Sequence, residues 1–361
     1  MRADLKPEYW RVAESGGTVA GVARFIPFAH YWGGRAVPAA GVASVVIAAE
    51  ARGRGVGTTL MRELLTDLRG SGFAISSLYP ATVPIYRQCG YGYGAIRSRW
   101  KADLGLLPQT TERDVTVEAF DDGSIEELNA AYEGIAATTN GLVARDRDWW
   151  AKRVLTAPWD DKTRYRYLVR EAGAITGWII YVYGDSKEWQ FTLECRDLFW
   201  TTPRAARALL SLAALHRSTA KEMTWVGPVN EPLIDLTPDH AIDHDGSFRT
   251  MVRLLDVPAA FEARGYPESV DASVTIAVRD AMFPANAGPW RIQVSGGSAK
   301  VVPSSAAADA MADVQMWASL WTGLHGAHDA VRAGGLEATP AAIDALDAMF
   351  AGQTPWIADF Y

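Results

Sequence analysis

Residues Arg52-Gly53-Arg54-Gly55-Val56-Gly57 join a strand-like apolar run at 43–48 to a stretch with the periodicity of an amphipathic helix. A glycine-rich turn in that position dictates an α/β layer, because a strand must end and a helix must begin within a few residues of each other. The first turn of such a helix has backbone N–H groups without intrahelical acceptors, and the helix dipole adds partial positive charge there. The two arginines add charge that a neutral ligand would not need. The segment reads as a cradle for a diphosphate, and its ligand as a polyanionic cofactor.

Spacing narrows the cofactor. A dinucleotide fold calls for G-x-G-x-x-G and an acidic residue about 20 positions later. Here the glycines fall two apart, and the next strand, 73–78, runs into Tyr79 and Pro80 with no carboxylate. The helix after the loop carries Leu60, Met61, Leu64, Leu65 and Leu68 on one face, turns Arg62, Glu63 and Asp67 outward, and ends at Gly70. A strand follows, then a short helical segment at 84–89 closed by Gly90, Gly92 and Gly94. The pattern Arg-x-x-Gly-x-Gly, in the order strand, cradle, helix, strand, helix, resembles the GCN5-related N-acetyltransferase (GNAT) superfamily. The resemblance implies that backbone amides hold the diphosphate of coenzyme A. It also implies that Tyr86 lies beside the thioester sulfur and protonates the departing thiolate. A phenol of ordinary pKa, about 10, is a reasonable acid toward a thiolate of about 8 to 9.

The chain of 361 residues has room for two or three domains, and its 49% hydrophobic and 21% charged content is that of an ordinary globular protein. The first residues carry no apolar leader and no run approaches a membrane span, so a cytoplasmic protein with no membrane partner is expected. A net charge of −7 argues against nucleic acid as a partner and suits a cationic acceptor. The two cysteines, Cys89 and Cys195, form no C-x-x-C pair and fit a reducing compartment. Six histidines form no metal pattern, His240 and His244 reading as part of a loop, so no metal is expected.

The first unit is expected at 1–104 and a second at 105–249. In the second, a helix at 125–137 precedes a hairpin of 165–171 and 174–183, a strand at 194–199, and a helix opening at Thr202-Pro203. That is the same succession without a glycine cradle. Its aromatic residues Trp149, Trp150, Trp178, Tyr181 and Tyr183 read as core and interface packing. From 250 to 361 the pattern changes again, with strands at 272–278 and 290–294 and helices at 316–322 and 340–350. It ends in an apolar, aromatic terminus, Trp356-Ile357-Ala358-Asp359-Phe360-Tyr361. Chain ends are normally polar and frayed unless tied down.

The cradle, Ile85-Tyr86 with Gly90-Tyr91-Gly92, the run from Asp256 to Tyr266 and the aromatic terminus together resemble the Eis (enhanced intracellular survival) N-acetyltransferase family over nearly the whole chain. That resemblance implies an α/β (α+β) protein of tandem GNAT-like domains with mixed, splayed sheets, followed by a sterol-carrier-protein-like α/β domain, assembled as a hexamer. It implies transfer of an acetyl group from acetyl-CoA to a primary amine of a small, cationic acceptor such as an aminoglycoside. The α-carboxylate of Tyr361 would receive the amine proton. Val45 and Ile47 would offer main-chain groups to the pantetheine arm, and Arg52, Gly53, Arg54, Gly55, Gly57 and Thr58 would surround the diphosphate. Trp10, Ser44 and Tyr79 would face the acceptor.

Three departures bear on the acceptor. Family members usually end in phenylalanine, so the Tyr361 hydroxyl must find a partner. Only nine residues precede Trp10, implying a more open pocket or a start upstream, and Ala81 stands where a hydroxyl residue is common. An acyl carrier protein presents the same phosphopantetheine arm and is the alternative donor. A lipid- or small-molecule-binding protein built on the C-terminal domain is the alternative of another class, and it leaves the cradle and Tyr86 without a purpose.

Overall fold

The computed structural model describes residues 6–156, 161–186, 189–238 and 240–361; residues 1–5, read above for a leader, lie outside these. An antiparallel meander comes first, of β1 (Trp10–Ser15), β2 (Thr18–Trp32) and β3 (Arg35–Ile47). Its two tight turns are the pairs Gly16-Gly17 and Gly33-Gly34, all four at positive φ, which is why a two-residue loop can reverse the chain there. After the glycine-rich turn, α1 (Val56–Gly70) crosses over to β4 (Ile75–Leu78), which lies parallel to β3. Leu60, Met61, Leu64, Leu65 and Leu68 are buried against the sheet, each stabilising the layer by about 1.5–3 kcal/mol. The segment ends in α2 (Val83–Gln88) and β5 (Gly92–Asp103).

The middle of the chain repeats this plan. It comprises β6 (Val115–Ala119), α3 (Ile125–Ala136), and α4 (Arg147–Trp149), which runs into a π-helical turn, Trp150–Val154. There follow β7 (Tyr165–Glu171), β8 (Ala174–Tyr183), β9 (Phe191–Trp200), α5 (Pro203–Ala214) and β10 (Ala220–Gly227). Again a strand, a helix and a parallel strand follow one another, since β10 pairs parallel to β9. Trp149, Trp150, Trp178 and Tyr181 are buried, as packing residues should be.

The two plans share one eleven-stranded sheet of order β1-β2-β3-β4-β11-β5-β10-β9-β8-β7-β6. The strand that joins them is β11 (Ile242–Leu254), antiparallel to both β4 and β5. Two expectations change here. His244 belongs to this strand and faces Trp100 across it, rather than sitting in a loop. The division at 249/250 falls inside β11, so the last strand of the double sheet carries the chain into the third unit.

That unit holds α6 (Val257–Ala263), β12 (Ala272–Arg279), β13 (Trp290–Ser295), β14 (Ser298–Pro303) and β15 (Ala310–Asp313). It closes with α7 (Val314–Thr322), α8 (Ala327–Arg332), β16 (Leu336–Ala338) and α9 (Pro340–Met349). Its five strands form a separate sheet, β14-β13-β12-β15-β16. A core around Phe261, Ile276, Trp317, Trp321 and Leu346 binds it to Trp32, Val37 and Ile75 of the first unit. After α9 the chain turns back into the large sheet. Ile96 N–H donates to Pro355 O at 3.0 Å and Ile357 N–H to Ile96 O at 3.2 Å, so the terminus lies along β5 as a short parallel bridge. Among the described residues, no helix is long and apolar enough to cross a membrane.

Candidate active site

The parallel strands β3 and β4 pair only over 39–42 and 75–78, and residues 43–47 of β3 pair with β2 alone. Beyond Val42 and Leu78 the two strands part. Just past that point β3 carries a bulge: the register with β2 slips between Val22 and Arg24, and Ser44 adopts φ 51°. The inserted residue is visible in the burial pattern. Ala40 and Val42 face the α1 core, and so do Val45 and Ile47, a step of three in place of two. A bulge leaves a backbone group outside the ladder, here at the mouth of the gap between β3 and β4.

The glycine turn stands above this gap. Gly53 and Gly55 have φ of 73° and 80°, and a Cβ on either would meet nothing within 4 Å. Their glycines therefore answer to left-handed backbone, and the space above them is open. Gly57 has a different reason: a Cβ there would come within 3.1 Å of Ile85 Cδ1 and 3.4 Å of Ile47 Cγ1, so the cradle, β3 and α2 meet at this residue. No side chain caps α1, and no acidic residue sits in its first turn. Arg54 is exposed, while Arg52 Nε donates to Ile47 O at 3.3 Å, tying the turn to the strand it follows. The equivalent helix of the second unit is closed. Thr202 caps α5 by accepting from Ala205 N–H at 3.1 Å, and Pro203 occupies its first turn. An anion has a place at α1 that it lacks at α5.

Tyr86 lies on α2 in the same core as Val42, Leu60 and Leu78, its ring edge-on to Tyr91 at 6.0 Å. It is buried, yet no described residue bonds its hydroxyl. The ordinary phenol pKa expected from sequence is corrected upward: burial raises it, and neighbouring Cys89 adds to the effect. Burial raises a thiolate's proton affinity in the same way, so the match between acid and leaving group survives.

Tyr361 comes from the opposite face. Its ring packs 4.7 Å from Phe28 and 6.5 Å from Trp149, and it lies so close to Gly41 that a Cβ there would sit 2.6 Å from its Cδ2. Its hydroxyl has found a partner in Ser77 Oγ, at 2.6 Å. Ser77 in turn contacts His30 Nε2 at 3.0 Å, and His30 Nδ1 lies 3.0 Å from Gly141 O. A carbonyl only accepts, so Nδ1 carries the proton and Nε2 accepts from Ser77, which leaves Ser77 to accept from Tyr361. Burial lowers His30 to about 4, and the imidazole is neutral.

The tail before Tyr361 is fixed by charge. Arg145 donates to both oxygens of Asp197 at 2.7 and 2.9 Å and reaches Asp359 at 3.2 Å, with its guanidinium 4.2 Å from the Tyr132 ring centre and 4.6 Å from that of Trp150. Trp149 Nε1 donates to Asp359 at 2.7 Å, and Trp178 Nε1 to Asp197 at 2.7 Å. Burial opposes the Arg145 charge, but Asp197 and Asp359 outweigh it and hold the guanidinium above its ordinary range. The Tyr79 hydroxyl donates to the Asp359 carbonyl, and its ring lies 4.7 Å from Phe360 and 5.1 Å from Tyr361. Beside Asp359 and Phe360 opens a cavity of about 310 Å³ lined also by Arg97, Arg145, Arg153, Arg164 and Arg196.

The structure thus brings Val45, Ile47, Gly53, Gly55, Gly57 and Tyr86 together around one gap, and Tyr79 and Tyr361 behind it. Thr58 is half-buried in the first turn of α1. Ser44 is the exposed bulge residue, and Trp10 is farther off, on edge strand β1 with Arg24 over its ring at 5.9 Å. Residues the sequence reading passed over are His30, Ser77, Arg97 and Arg145. Asp359 did carry a signal, as the lone charge in an apolar tail, which demands a counter-ion. Among the described residues, no cluster of His, Cys, Asp and Glu could hold a metal ion.

Tandem strand–helix–strand units, the first with an open anion cradle over a parted parallel pair, define a class of acyl-group transferase. The comparisons agree. Acetyltransferase (GNAT) domain families match residues 2–94 and 141–254, and the sterol carrier protein domain family matches 257–358. A crystal structure of a GCN5-related N-acetyltransferase from Kribbella flavida is 31% identical, with 98% of this chain and 88% of that one covered and a TM-score of 0.85. One from Anabaena variabilis is 29% identical over 99% of this chain and 91% of that one, with a TM-score of 0.93. N-acetyltransferase Eis of Mycobacterium tuberculosis is 25% identical, covering 95% of this chain and 86% of the relative. The chain belongs to the GCN5-related N-acetyltransferases, in their Eis-like, three-domain branch, and is an N-acetyltransferase.

Proposed function

We propose that this N-acetyltransferase moves an acetyl group from acetyl-CoA to the primary amine of a small acceptor. The observation that carries the reading is the open cradle of α1 directly above the gap between β3 and β4, with Tyr86 on one face of the sheet and Tyr361 on the other. When bound, acetyl-CoA would supply a thioester whose carbonyl carbon accepts a nucleophile and whose sulfur leaves as the thiol of coenzyme A. The chain's part is then to hold and to move protons. The amides of the cradle and the α1 dipole hold the diphosphate, with Arg54 adding charge. The unpaired strand 43–47 offers backbone groups to an extended arm, as an edge strand does. A bulge amide near Val45 polarises the thioester carbonyl.

An amine is mostly protonated at neutral pH and must lose a proton before or as it attacks. The Tyr361 α-carboxylate receives that proton, the new N–C bond forms as the C–S bond breaks, and Tyr86 gives its proton to the sulfur. Because Ser77 and the Gly41 backbone fix the Tyr361 ring, the carboxylate is presented on a rigid support. The net charge of −7 favours a cationic amine at long range, and an aminoglycoside is one such acceptor, but the cavity beside Asp359 and Phe360 is lined with arginines, which disfavour a polycation there. The test is thiol release with a panel of primary amines in wild type, Tyr86→Phe and a variant lacking Tyr361. The reading expects turnover in wild type, a large fall in the first variant and none in the second; equal rates in all three contradict it.

A further inference from the structure

Arg97 is a half-buried cation of this site that forms no ion pair among the described residues. It projects from β5 into the cavity of about 310 Å³ beside Asp359 and Phe360. It also lines a second cavity, of about 540 Å³, and Arg196 is common to both. Its Nη2 donates to Ala358 O at 3.1 Å, and its Nε is buried with no hydrogen-bond partner. Nearby charges are engaged elsewhere. Asp359 is taken by Arg145 and Trp149, and Arg99 by Asp245. Among the described residues, no carboxylate lies within ion-pair distance of Arg97. Burial lowers its pKa, and the more distant Asp359, already held by Arg145, offsets this only in part.

A desolvated guanidinium with an unused N–H is expensive in the free protein and gains most from an arriving anion. The position connects it to the chemistry. Tyr79 follows the last residue of β4, where the strands part, and its ring touches Phe360, which forms the cavity wall. The next residue is Tyr361.

We propose that the acceptor amine carries an oxyanionic group, a carboxylate or a phosphate, which docks on Arg97 in this cavity while its amine faces the Tyr361 carboxylate. This rests on the amine-acetylation reading above. It makes Arg97 a specificity-determining residue and the acceptor an amino acid-like or phosphorylated amine in place of a polycation.

The experiment compares matched amines under saturating acetyl-CoA: γ-aminobutyrate against putrescine for a carboxylate, and O-phosphoethanolamine against ethanolamine for a phosphate, with kanamycin as the polycation. The anionic member of at least one pair is expected to show a kcat/KM about tenfold or more above its partner, chiefly through KM. The pair that responds identifies the oxyanion. Arg97→Gln brings that ratio close to one, and Arg97→Lys, which keeps the charge, retains part of it. Preference for putrescine, ethanolamine or kanamycin overturns the inference, as does an unchanged ratio in folded Arg97→Gln. Acetyl-CoA binding without turnover of either anionic amine overturns the inference and leaves the donor site standing. Absence of acetyl-CoA binding with no amine used removes the underlying reading and the inference with it.

Discussion

Tyr361 and Ser77 meet through their hydroxyls at 2.6 Å, although 284 positions separate them in the chain. The contact sets Tyr361 against β4, one residue short of the point where β3 and β4 part. Tyr361, held this way, is part of the interior. Its hydroxyl is turned inward to Ser77, which fixes the ring against β4.

Ser77→Ala removes the middle of the chain from Tyr361 to His30 and leaves both neighbours buried without it. The expected loss of stability is about 1–3 kcal/mol, read as the shift in urea midpoint. Turnover should fall while acetyl-CoA affinity is unchanged, because Ser77 faces the terminus and not the cradle. Tyr361→Phe should resemble it in stability.

His30 makes stability depend on pH with a definite sign. Its folded pKa of about 4 lies below the ordinary 6.5, so the unfolded chain binds the extra proton and stability is lost as pH falls between those values. The full effect is up to about 3 kcal/mol, complete near pH 4 and absent above pH 7. His30→Gln should flatten the difference in stability between pH 7 and pH 4.5 relative to wild type, as measured by thermal unfolding. Identical slopes for the two proteins contradict the assignment of a buried neutral imidazole.

Tyr86→Phe should lower kcat about a hundredfold, the usual scale for a general acid, with the KM for acetyl-CoA nearly constant. Since burial raises the Tyr86 pKa, the wild-type rate should keep its acid well into the alkaline range, falling only above the ordinary tyrosine value. A pH–rate profile with an alkaline limb near neutrality points to a different proton donor.

Asp359→Asn leaves Arg145 with Asp197 alone and weakens the tie between β9 and the tail. Removing one member of a buried ion pair typically costs about 3–5 kcal/mol; the amide keeps some hydrogen bonding, so the lower end is expected. Limited proteolysis should then release the C-terminal residues before any other segment.

Much of this was legible in the sequence where a local rule operates. The glycine turn, the α1 stripe from Leu60 to Leu68, the hairpin of β7 and β8, and α5 opening at Thr202-Pro203 each carry their own signal within a dozen residues. The long strand β2 carries little, because buried Ala23, Phe25, Ile26 and His30 are set among half-buried residues and leave no clear period of two. β11 was hidden for another reason: it is glued between β4 and β5, far away in the chain, and nothing local marks the 249/250 position as mid-strand. The site divides the same way. Tyr86 and the cradle lie within one contiguous segment, whereas His30, Ser77, Arg97 and Arg145 become neighbours of the terminus only through the fold.

The central claim is that the turn at 52–57 holds the diphosphate of coenzyme A, and calorimetric titration of acetyl-CoA tests it most directly. Wild type is expected to bind with a Kd on the order of micromolar, about −8 kcal/mol. The Arg54→Ala/Gly55→Ala variant, which removes a charge and strains a left-handed position, should lose at least about tenfold in affinity. Absence of binding in wild type, or equal affinity in the variant, contradicts the account.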